Sequence, residues 1–390
     1  MEGETFSKAE YARYSRHFIL PEINTEGQQK MKQAKVLVVG AGGLGSPILL
    51  YLAAAGIGTI GIVDFDVVDE TNLQRQVIFS TTDVGKSKAL VAKERILQLN
   101  PHVHVIVYQT KITSSNALEI IPQFDVVVDG TDNFPTRYLL NDACVFAAKP
   151  NVFGSIFRFE GQVAVFNYLY KNGERSPNYR DVFPNPPAPG EVPNCAEGGV
   201  LGVLPGMIGC IQANEVIKVV CGIGEVLAGK LFLIDTLSFL SRTIKIKKRT
   251  DNPISGEMPT LTALIDYEEF CNVKITSPVE NATEVKEMDV KTLHQLLKSA
   301  ADNVILIDVR APYEYEISNL GGKLIPLSSI ETLLEDIPKA EYIVFHCRTG
   351  QRSLKAIKKL QAFTDTSNFY NLEGGILKWI DEIDNTLTRY

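Results

Sequence analysis

Short apolar runs alternate with amphipathic stretches along the first 250 residues, a pattern that predicts alternating strands and helices. The run at residues 36–39 predicts a buried parallel strand, residues 48–55 a helix, and residues 59–63 a second strand. Further strands are predicted at residues 103–108, 124–128, 152–157, 162–166, 231–234 and 239–246. This order predicts an α/β fold with a doubly wound, mostly parallel, Rossmann-like sheet.

The last hundred residues repeat the strand–helix order on a smaller scale. Residues 304–307 and 342–346 predict strands, and a helix is expected from about residue 351 to 362. Between the two parts, residues 248–285 are polar and proline-bearing, which is typical of a linker. We therefore expect a large domain at residues 1–247, a linker at 248–285 and a smaller α/β domain at 286–390.

Composition and charge narrow the class of protein. The hydrophobic content of 45% and charged content of 22% are ordinary for a globular chain, and the net charge of −7 argues against nucleic acid as the main partner. No apolar run has the length of a membrane span, and the N-terminal residues lack the apolar core of a signal peptide, so we expect a cytoplasmic protein without a membrane partner. Six scattered cysteines without a C-x-x-C pair predict free thiols and no cysteine-clustered zinc.

The segment GAGGLG at residues 40–45 is the clearest candidate for ligand binding. It lies between a predicted strand and a predicted helix, where a turn without side chains exposes the free N–H groups of a helix N-terminus to a phosphate. Asp64 ends the second strand, 24 residues after Gly40, and an acid at this place can hydrogen-bond a ribose. The motif by itself does not separate a dinucleotide from ATP.

Further polar residues follow the strands, at the sheet edge where α/β proteins bind ligands. Arg75 and Gln76 lie in a polar segment and can reach phosphates. Lys88 stands in the first turn of a helix, a poor place for a cation, so it is a candidate for polyphosphate binding with a surface lysine as the alternative. Asp132 can hold Mg²⁺ through oxygen, although an Asp-Asn pair is more often a helix cap.

Cys347 is a second candidate site. It follows a predicted strand and precedes a helix, and Arg348 and Arg352 flank it. The helix dipole and the two guanidinium groups would favour the thiolate, and the loop N–H groups would hold a negative group bonded to the sulfur. A buried structural cysteine is the alternative.

Two families resemble parts of the chain. Residues 8–250 resemble the MoeB/ThiF family, relatives of the ubiquitin-activating enzymes, through RYSR at 13–16, GAGGLG at 40–45, NLQRQ at 72–76 and GGVLGVLPG at 198–206. Residues 286–390 resemble a rhodanese domain through DVR at 308–310, HCRTGQRS at 346–353 and LEGGI at 372–376. The combination is similar to adenylyltransferase–sulfurtransferase proteins that load sulfur onto small ubiquitin-like carriers.

The resemblance implies that the first domain binds ATP with Mg²⁺, and that Asp132 holds the metal. Arg16 is implied to reach the γ-phosphate from the second subunit of a homodimer. The implied nucleotide-binding residues are Gly40, Gly42, Gly43, Asp64, Asp66, Asn72, Arg75, Lys88, Asp132 and Asn133.

The resemblance also implies a reaction, with the catalytic set Arg16, Arg75, Asp132, Cys195 and Cys347. A MoaD- or ThiS-like carrier that ends in Gly-Gly is adenylated, as in molybdenum cofactor or thiamin biosynthesis. Cys347 carries a persulfide from a donor such as a cysteine desulfurase, and Cys195 resolves the acyl disulfide. The implied persulfide loop is Cys347, Arg348, Thr349, Gly350, Gln351 and Arg352.

The chain departs from this family at one implied metal site. Most members carry two C-x-x-C pairs that hold a structural zinc, but the corresponding residues here are Asn178, Asp181, Asn252 and Ser255. Amide, carboxylate and hydroxyl groups do not form a soft tetrahedral site. We therefore expect no zinc.

Three alternative functions fit the sequence less well. An NAD-dependent oxidoreductase would not need the polyphosphate and metal set of Arg75, Lys88 and Asp132. A docking role for the rhodanese domain, with adenylation as the only activity, does not explain Cys347. Cysteine phosphatases use a longer C-x₅-R loop, whereas four residues separate Cys347 from Arg352 here.

Overall fold

The computed structural model describes residues 6–187, 199–272, 285–331 and 337–390. These residues belong to two compact units, Met1–Lys274 and Ile275–Tyr390. Each unit is built on its own sheet.

The first unit is built on a sheet in the order β3-β2-β1-β4-β5-β6-β7-β8. Neighbouring strands run parallel from β3 to β5, and the remaining pairs are antiparallel. The predicted fold class of a mostly parallel, doubly wound sheet is confirmed. The strands are β1 (Lys35–Val39), β2 (Thr59–Val63), β3 (His104–Tyr108), β4 (Val126–Asp129), β5 (Asn151–Phe157), β6 (Glu160–Phe166), β7 (Lys230–Asp235) and β8 (Leu240–Lys245).

Helices cover both faces of this sheet, because alternate residues of the central strands are apolar on opposite sides. Val36 and Val38 of β1 belong to one core, and Leu37 and Val39 belong to the other. The helices are α1 (Lys8–Arg13), α2 (Ser15–Phe18), α3 (Asn24–Gln33), α4 (Gly45–Ala55), α5 (Lys88–Leu99), α6 (Ala117–Ile120), α7 (Phe134–Phe146), α8 (Tyr179–Val182), α9 (Val203–Cys221) and α10 (Tyr267–Asn272). Short 3-10 turns occupy Glu70–Asn72, Thr81–Asp83 and Ile121–Gln123.

Helix α9 has the length and apolar composition of a membrane span, which the sequence pattern did not predict. Its side chains Leu204, Ile208 and Val216 are fully buried in the same core as β1. A core helix passes the same test of length and composition, so the finding is weak support for a membrane span.

The structure differs from the predicted linker over residues 249–272. Helix α10 packs on the first unit, where Tyr267 is buried and its hydroxyl donates to Asp142 Oδ2 at 2.7 Å. Arg180 also donates to Asp142 through Nε and Nη2, at 2.8 and 2.7 Å. The prediction was wrong here because a polar, proline-bearing stretch can be held by buried hydrogen bonds as firmly as by apolar packing.

A cluster of four polar side chains, Asn178, Asp181, Asn252 and Ser255, holds the start of this segment. These are the positions at which the family resemblance implies zinc-binding cysteines. Asn178 Nδ2 donates to Ser255 Oγ at 2.7 Å, and Asn252 Nδ2 donates to Asp181 Oδ1 at 2.8 Å. Asn178 and Asn252 are almost fully buried. We call these four residues the polar cluster.

The second unit is a smaller parallel sheet in the order β11-β10-β12-β13-β9. The sequence pattern predicted β10, β12 and α13, whereas the two- to four-residue strands carry too short a pattern to be found. The strands are β9 (Lys286–Met288), β10 (Val304–Asp308), β11 (Lys323–Leu324), β12 (Tyr342–His346) and β13 (Phe369–Leu372). The helices are α11 (Val290–Ser299), α12 (Pro312–Ile317), α13 (Gln351–Leu360) and α14 (Gly375–Glu382), with 3-10 turns at Ala301–Asn303 and Leu327–Ser329.

Candidate functional sites

The glycine turn joins β1 to α4 by close contact between main-chain atoms. Gly40 has a φ of +92°, in the left-handed region that favours glycine. A Cβ at Gly45 would lie 1.9 Å from the carbonyl oxygen of Gly40, so no side chain fits there. The turn therefore brings the first N–H groups of α4 close to the space beyond β1, as a phosphate site requires.

A cavity of about 370 Å³ opens at the carboxyl ends of β1, β2 and β4. Two residues implied for the nucleotide site do not line it: Asn72 is absent from its wall, and Arg16 is exposed on the surface of the chain. The structure brings the other implied nucleotide-binding residues together around it: Gly40, Gly42, Gly43, Asp64, Asp66, Arg75, Lys88, Asp132 and Asn133.

Asp64 holds the glycine turn in place as well as lining the cavity. Its Oδ2 accepts from Ala41 N at 2.7 Å, and its Oδ1 accepts from Asp66 N at 2.8 Å. Burial raises the pKa of the carboxyl group, and the two N–H donors oppose that rise. The carboxylate is therefore positioned before a ligand arrives.

Lys88 is a buried lysine on the cavity wall, which is unlike the surface lysine considered as an alternative. Its side chain is 6% exposed, and Nζ lies 3.0 Å from Oδ2 of Asp66, a half-exposed carboxylate. A buried ammonium group requires an anionic partner, and Asp66 provides one in this structure. The cation faces a cavity that also holds the glycine turn.

The loop after β4 carries the remaining acidic groups. Asn133 caps α7 by accepting from Thr136 N at 3.0 Å, which is the helix-cap role considered for this pair. The Asp132 side chain stays exposed on the cavity wall. Asp129 is buried, its Oδ1 accepts from Thr131 N, and its Oδ2 has no hydrogen-bond partner. An exposed carboxylate beside a phosphate site fits the preference of Mg²⁺ for oxygen ligands.

Sequence reasoning missed the far wall of the cavity. Thr110, Lys111 and Glu268 line it, and Lys111 Nζ lies 2.6 Å from Glu268 Oε1. Glu268 belongs to α10, inside the segment predicted as a linker. The Asp-Tyr-Glu-Glu start of this short helix carried no signal that would place it beside a nucleotide turn.

Cys347 lies at the carboxyl end of β12, and its side chain is almost fully buried. Its sulfur accepts hydrogen bonds from Gly350 N at 3.1 Å and from Ser353 Oγ at 3.5 Å. Gly350 has a φ of +93°, which turns its N–H toward the sulfur and begins α13. The expected cradle of loop N–H groups is thus partly visible around the sulfur.

The two arginines of this loop form contacts that the sequence did not predict. Arg352 donates from both Nη atoms to the carboxylate of Glu314, at 2.6 and 2.7 Å. Arg348 donates from Nε and Nη2 to the main-chain oxygen of Tyr390, at 2.9 and 2.6 Å. Glu314 is 38 residues from Arg352, so no local spacing could indicate the pair. Thr349 is half-buried and Gln351 is exposed.

Helix α14 fixes the other side of the loop. Ile376 N donates to Cys347 O at 2.9 Å, and Leu377 N donates to Arg348 O at 3.1 Å. A Cβ at Gly375 would lie within 3 Å of both carbonyl oxygens, which explains the second glycine of LEGGI. The carbonyls of Cys347 and Arg348 are therefore bonded to α14, while Gly350 N donates to the sulfur.

Asp308, Arg310 and His346 lie fully buried behind Cys347. Arg310 Nε donates to both carboxylate oxygens of Asp308, at 2.9 and 3.0 Å. Neither ring nitrogen of His346 has a hydrogen-bond partner, and burial lowers the pKa of this histidine to about 4. His346 is therefore a neutral packing group at neutral pH.

Cys347 differs from the other described cysteines because its sulfur accepts hydrogen bonds from its own loop. Cys144, Cys210, Cys221, Cys271 and Cys347 are free thiols. Burial raises the pKa of the first four. Cys195, the implied resolving thiol, lies outside the described residues.

Two family models match the chain. The ThiF family matches residues 14–254, and the rhodanese-like domain matches residues 289–382. Together they include the glycine turn and the Cys347 loop.

Several relatives match over most of their length. The chain is 46% identical to the probable adenylyltransferase/sulfurtransferase MoeZ of Mycobacterium tuberculosis, over 100% of this chain and 97% of that protein. It is 40% identical to the adenylyltransferase and sulfurtransferase MOCS3 of Mus musculus, over 98% and 88%. The sulfur carrier protein adenylyltransferase of Thermus thermophilus is 52% identical over 69% of this chain and 99% of that protein.

Solved structures match about two thirds of the chain. The crystal structure of E. coli MccB with AMPCPP and MccA has a TM-score of 0.53 and 26% sequence identity, and covers 63% of this chain and 74% of that chain. The structure of E. coli MccB with MccA-N7isoAsn has a TM-score of 0.56 at 24% identity, over 65% and 76%, and supports the fold.

The buried His346 predicts a pH dependence of stability. Its pKa is about 4 in the folded protein and about 6.5 when unfolded, so the unfolded chain binds more protons between these values and stability falls on acidification. The folded second unit should lose roughly 3 kcal/mol between pH 6.5 and pH 4 from this group. Trp379 is the single tryptophan of the chain and lies in this unit, so its fluorescence reports the transition in denaturant.

His346→Leu should reduce the loss of stability on acidification by about 3 kcal/mol. His104→Leu, at an exposed histidine of the first unit, should leave this loss unchanged. If wild type and His346→Leu lost the same stability on acidification, His346 would not be the cause of the loss.

Proposed function

The chain belongs to the ThiF family and carries a rhodanese-like domain, so it is an adenylyltransferase and a sulfurtransferase. We propose its substrate and its catalytic residues as follows. The substrate is the C-terminal Gly-Gly carboxylate of a small ubiquitin-like sulfur carrier. The product is the carrier thiocarboxylate. The proposal rests on one observation: the chain combines a cavity beside a glycine turn with a cysteine loop in which Gly350 N donates to the sulfur.

The first reaction joins the carrier carboxylate to the α-phosphate of ATP and releases pyrophosphate. The glycine turn supplies N–H donors for phosphate, and Asp64 is set to bind the ribose. Lys88 and Arg75 line the same cavity and would neutralise the charge that develops on the leaving pyrophosphate. This set supports ATP over NAD, because hydride transfer needs no such cations.

Mg²⁺ is the proposed cofactor of this reaction. Asp132 would hold it, since its carboxylate is exposed on the cavity wall. The metal would supply positive charge beside the phosphates. Asp66 lines the same cavity, within reach of Lys88.

A homodimer is proposed to complete the site. Arg16 is exposed and does not line the cavity of its own chain, which leaves it available to the cavity of a second copy. This role for Arg16 comes from the family resemblance. The partner carrier is MoaD- or ThiS-like, and its persulfide donor is a protein such as a cysteine desulfurase.

The second reaction transfers sulfur. The terminal sulfur of a Cys347 persulfide attacks the acyl carbon and AMP leaves, which gives an acyl disulfide on Cys347. A thiolate, for which Cys195 is the candidate, then attacks the Cys347 sulfur. The carrier leaves as the thiocarboxylate, and the Cys195–Cys347 disulfide is reduced by an external thiol. Hydrogen bonds from Gly350 N and Ser353 Oγ support the assignment of Cys347.

A zinc-free first domain is also proposed. The polar cluster offers an amide, a carboxylate, an amide and a hydroxyl, which does not fit the donor set of a structural zinc site. Its members instead satisfy one another by hydrogen bonds. We propose that these hydrogen bonds stabilise this part of the domain, the role that the family resemblance implies for zinc.

The adenylation site can be tested by isotope exchange of pyrophosphate into ATP in the presence of the carrier. Asp132→Ala should lower the exchange rate by roughly 10²–10³-fold, because the metal loses its carboxylate. Cys347→Ala should leave the exchange near the wild-type rate, because the thiol acts after the adenylate forms. Loss of exchange in Cys347→Ala would contradict this division of labour.

The persulfide site can be tested by mass spectrometry. Incubation with a cysteine desulfurase and cysteine should add one sulfur to the peptide that contains Cys347. Cys347→Ser should block thiocarboxylate formation while the acyl-adenylate accumulates, and Cys144→Ser, at a buried cysteine outside the loop, is the matched control. Extra sulfur found on Cys195 and never on Cys347 would mean that the rhodanese domain is a docking module.

The polar cluster predicts independence from metal. The purified protein should hold well under one zinc per chain, and a chelator should leave its melting temperature unchanged. Asn252→Ala should lower the free energy of unfolding of the first domain by about 1–3 kcal/mol, because Asp181 and two main-chain N–H groups lose a buried partner. Asp251→Ala, at an exposed neighbour, is the control, and stoichiometric zinc after dialysis would overturn the proposal.

A further inference from the structure

Helix α10 contributes a side chain to the nucleotide cavity from beyond the part of the chain that matches the ThiF family. That family matches residues 14–254, whereas Glu268 lines the cavity together with the glycine turn. Glu268 is paired with Lys111, which follows β3. The proposed adenylation reaction assigns neither side chain a role.

Buried hydrogen bonds anchor the main chain next to Glu268. Tyr267 is buried, and its hydroxyl donates to Asp142 Oδ2 at 2.7 Å. Ser114 Oγ donates to the main-chain oxygen of Ile265 at 2.6 Å. Glu268 therefore lines the cavity as part of an anchored segment.

The wall that carries Glu268 lies at the end of the cavity away from the glycine turn. A second cavity of about 450 Å³ adjoins the first, and the two share part of their linings. Among the described residues, none of the glycine turn lines the second cavity. The far end of the nucleotide cavity is therefore formed by the shared residues Lys111, Ile112, Pro135, Thr136 and Glu268.

This far end is where a nucleobase would lie. In a Rossmann-like site the phosphates bind at the glycine turn and the acid after the second strand binds the ribose, so the base extends beyond that acid. Asp64 is this acid, and its N–H donates at 3.2 Å to the carbonyl oxygen of Tyr108, the last residue of β3. Lys111 follows Tyr108 by three residues. A base attached to a ribose on Asp64 would therefore reach the wall of Lys111 and Glu268.

Lys111 and Glu268 offer opposite hydrogen-bonding groups side by side. Lys111 Nζ lies 2.6 Å from Glu268 Oε1, and the two side chains are 50% and 58% exposed, so a ligand in the cavity can reach both. The ammonium group only donates and the carboxylate only accepts. Adenine has the matching pair on one edge, because its 6-amino group donates and the neighbouring N1 accepts. Ile112 and Pro135 supply apolar surface for the faces of the ring.

We propose that Glu268 and Lys111 determine the base specificity of the nucleotide site, with Glu268 accepting from the 6-amino group of adenine and Lys111 donating to N1. This rests on the proposed ATP site. Hypoxanthine, the base of ITP, has an oxygen in place of the amino group and a hydrogen on N1. Its oxygen would meet the carboxylate of Glu268 and its N1–H the ammonium group of Lys111. Both contacts pair like with like, so the site prefers ATP to ITP.

The experiment measures by calorimetry the Kd of the full-length protein for ATP and for ITP, each with Mg²⁺. Wild type should bind ATP about 10-fold more tightly than ITP, because ITP leaves these polar groups without matching partners. Glu268→Gln places an acceptor and a donor at the same position, so it should bring the two Kd values within about threefold of each other. The lost negative charge acts on both triphosphates alike, so the ratio of the Kd values isolates the contact with the base.

Two further variants separate this contact from charge and from folding. Glu269→Gln removes the same charge from an exposed neighbour on α10 that lines neither cavity in the part of the chain that the structure describes, and it should keep the wild-type ratio. Lys111→Met removes the donor to N1 and should lower the ratio, as Glu268→Gln does. An unchanged melting temperature by circular dichroism checks that each variant is folded.

A wild-type ratio near one, or a ratio that Glu268→Gln leaves unchanged, would overturn the proposal. An equal fall of the ratio in Glu269→Gln would also overturn it, because net charge would then be the cause. Failure of the proposed ATP site looks different: wild type would bind neither nucleotide, and the assignment of Glu268 and Lys111 would fall with that site.

Discussion

Contact between two main-chain turns determines the geometry of the first unit. The turn after β1 and the turn after β4 approach so closely that a Cβ at Gly40 would lie 2.8 Å from Gly130 O, and a Cβ at Gly130 would lie 2.8 Å from Gly40 O. Gly45 completes the contact, since α4 begins directly against Gly40. Because the two turns touch, the phosphate-binding N–H groups and Asp132 line one cavity. A side chain at any of these glycines would separate the ATP site from the group that would hold its metal.

In the second unit too, main-chain contacts determine the geometry of the site, here around the sulfur of Cys347. The persulfide proposed for Cys347 would need N–H donors around it and no carbonyl groups. The loop achieves this because Gly350 turns its N–H toward Cys347, while α14 takes up the carbonyls of Cys347 and Arg348 through main-chain donors. Gly375 permits that close contact. The motifs HCRTGQRS and LEGGI, 19 residues apart from Ser353 to Leu372, therefore describe two sides of one loop.

Sequence patterns were sufficient for the elements and for residues that directly follow a strand. Apolar runs located β1, β2 and β12, and the residues after them gave the glycine turn, Asp64 and Cys347, because parallel strands end at one edge of a sheet. The sequence did not predict which charged side chains pair with each other. The pairs Arg352–Glu314 and Lys111–Glu268 join residues 38 and 157 positions apart, with no repeating pattern between them. The segment at 249–272 was misassigned because the hydrogen-bonded polar cluster has the composition of a linker.

The pairing of Lys88 with Asp66 bears on how the cavity accepts a polyphosphate. A buried ammonium group without an anion would be costly, so the ion pair with Asp66 stabilises and orients Lys88 while no phosphate is bound. A phosphate that approaches Lys88 also meets the negative charge of Asp66, and Asp132 lines the same cavity. Arg75, Lys88 and Lys111 then face several phosphate charges together with four carboxylates, those of Asp64, Asp66, Asp132 and Glu268. A divalent cation beside Asp132 would relieve this excess, which is a physical argument for the proposal that the ligand is a magnesium–nucleotide complex and not the free nucleotide.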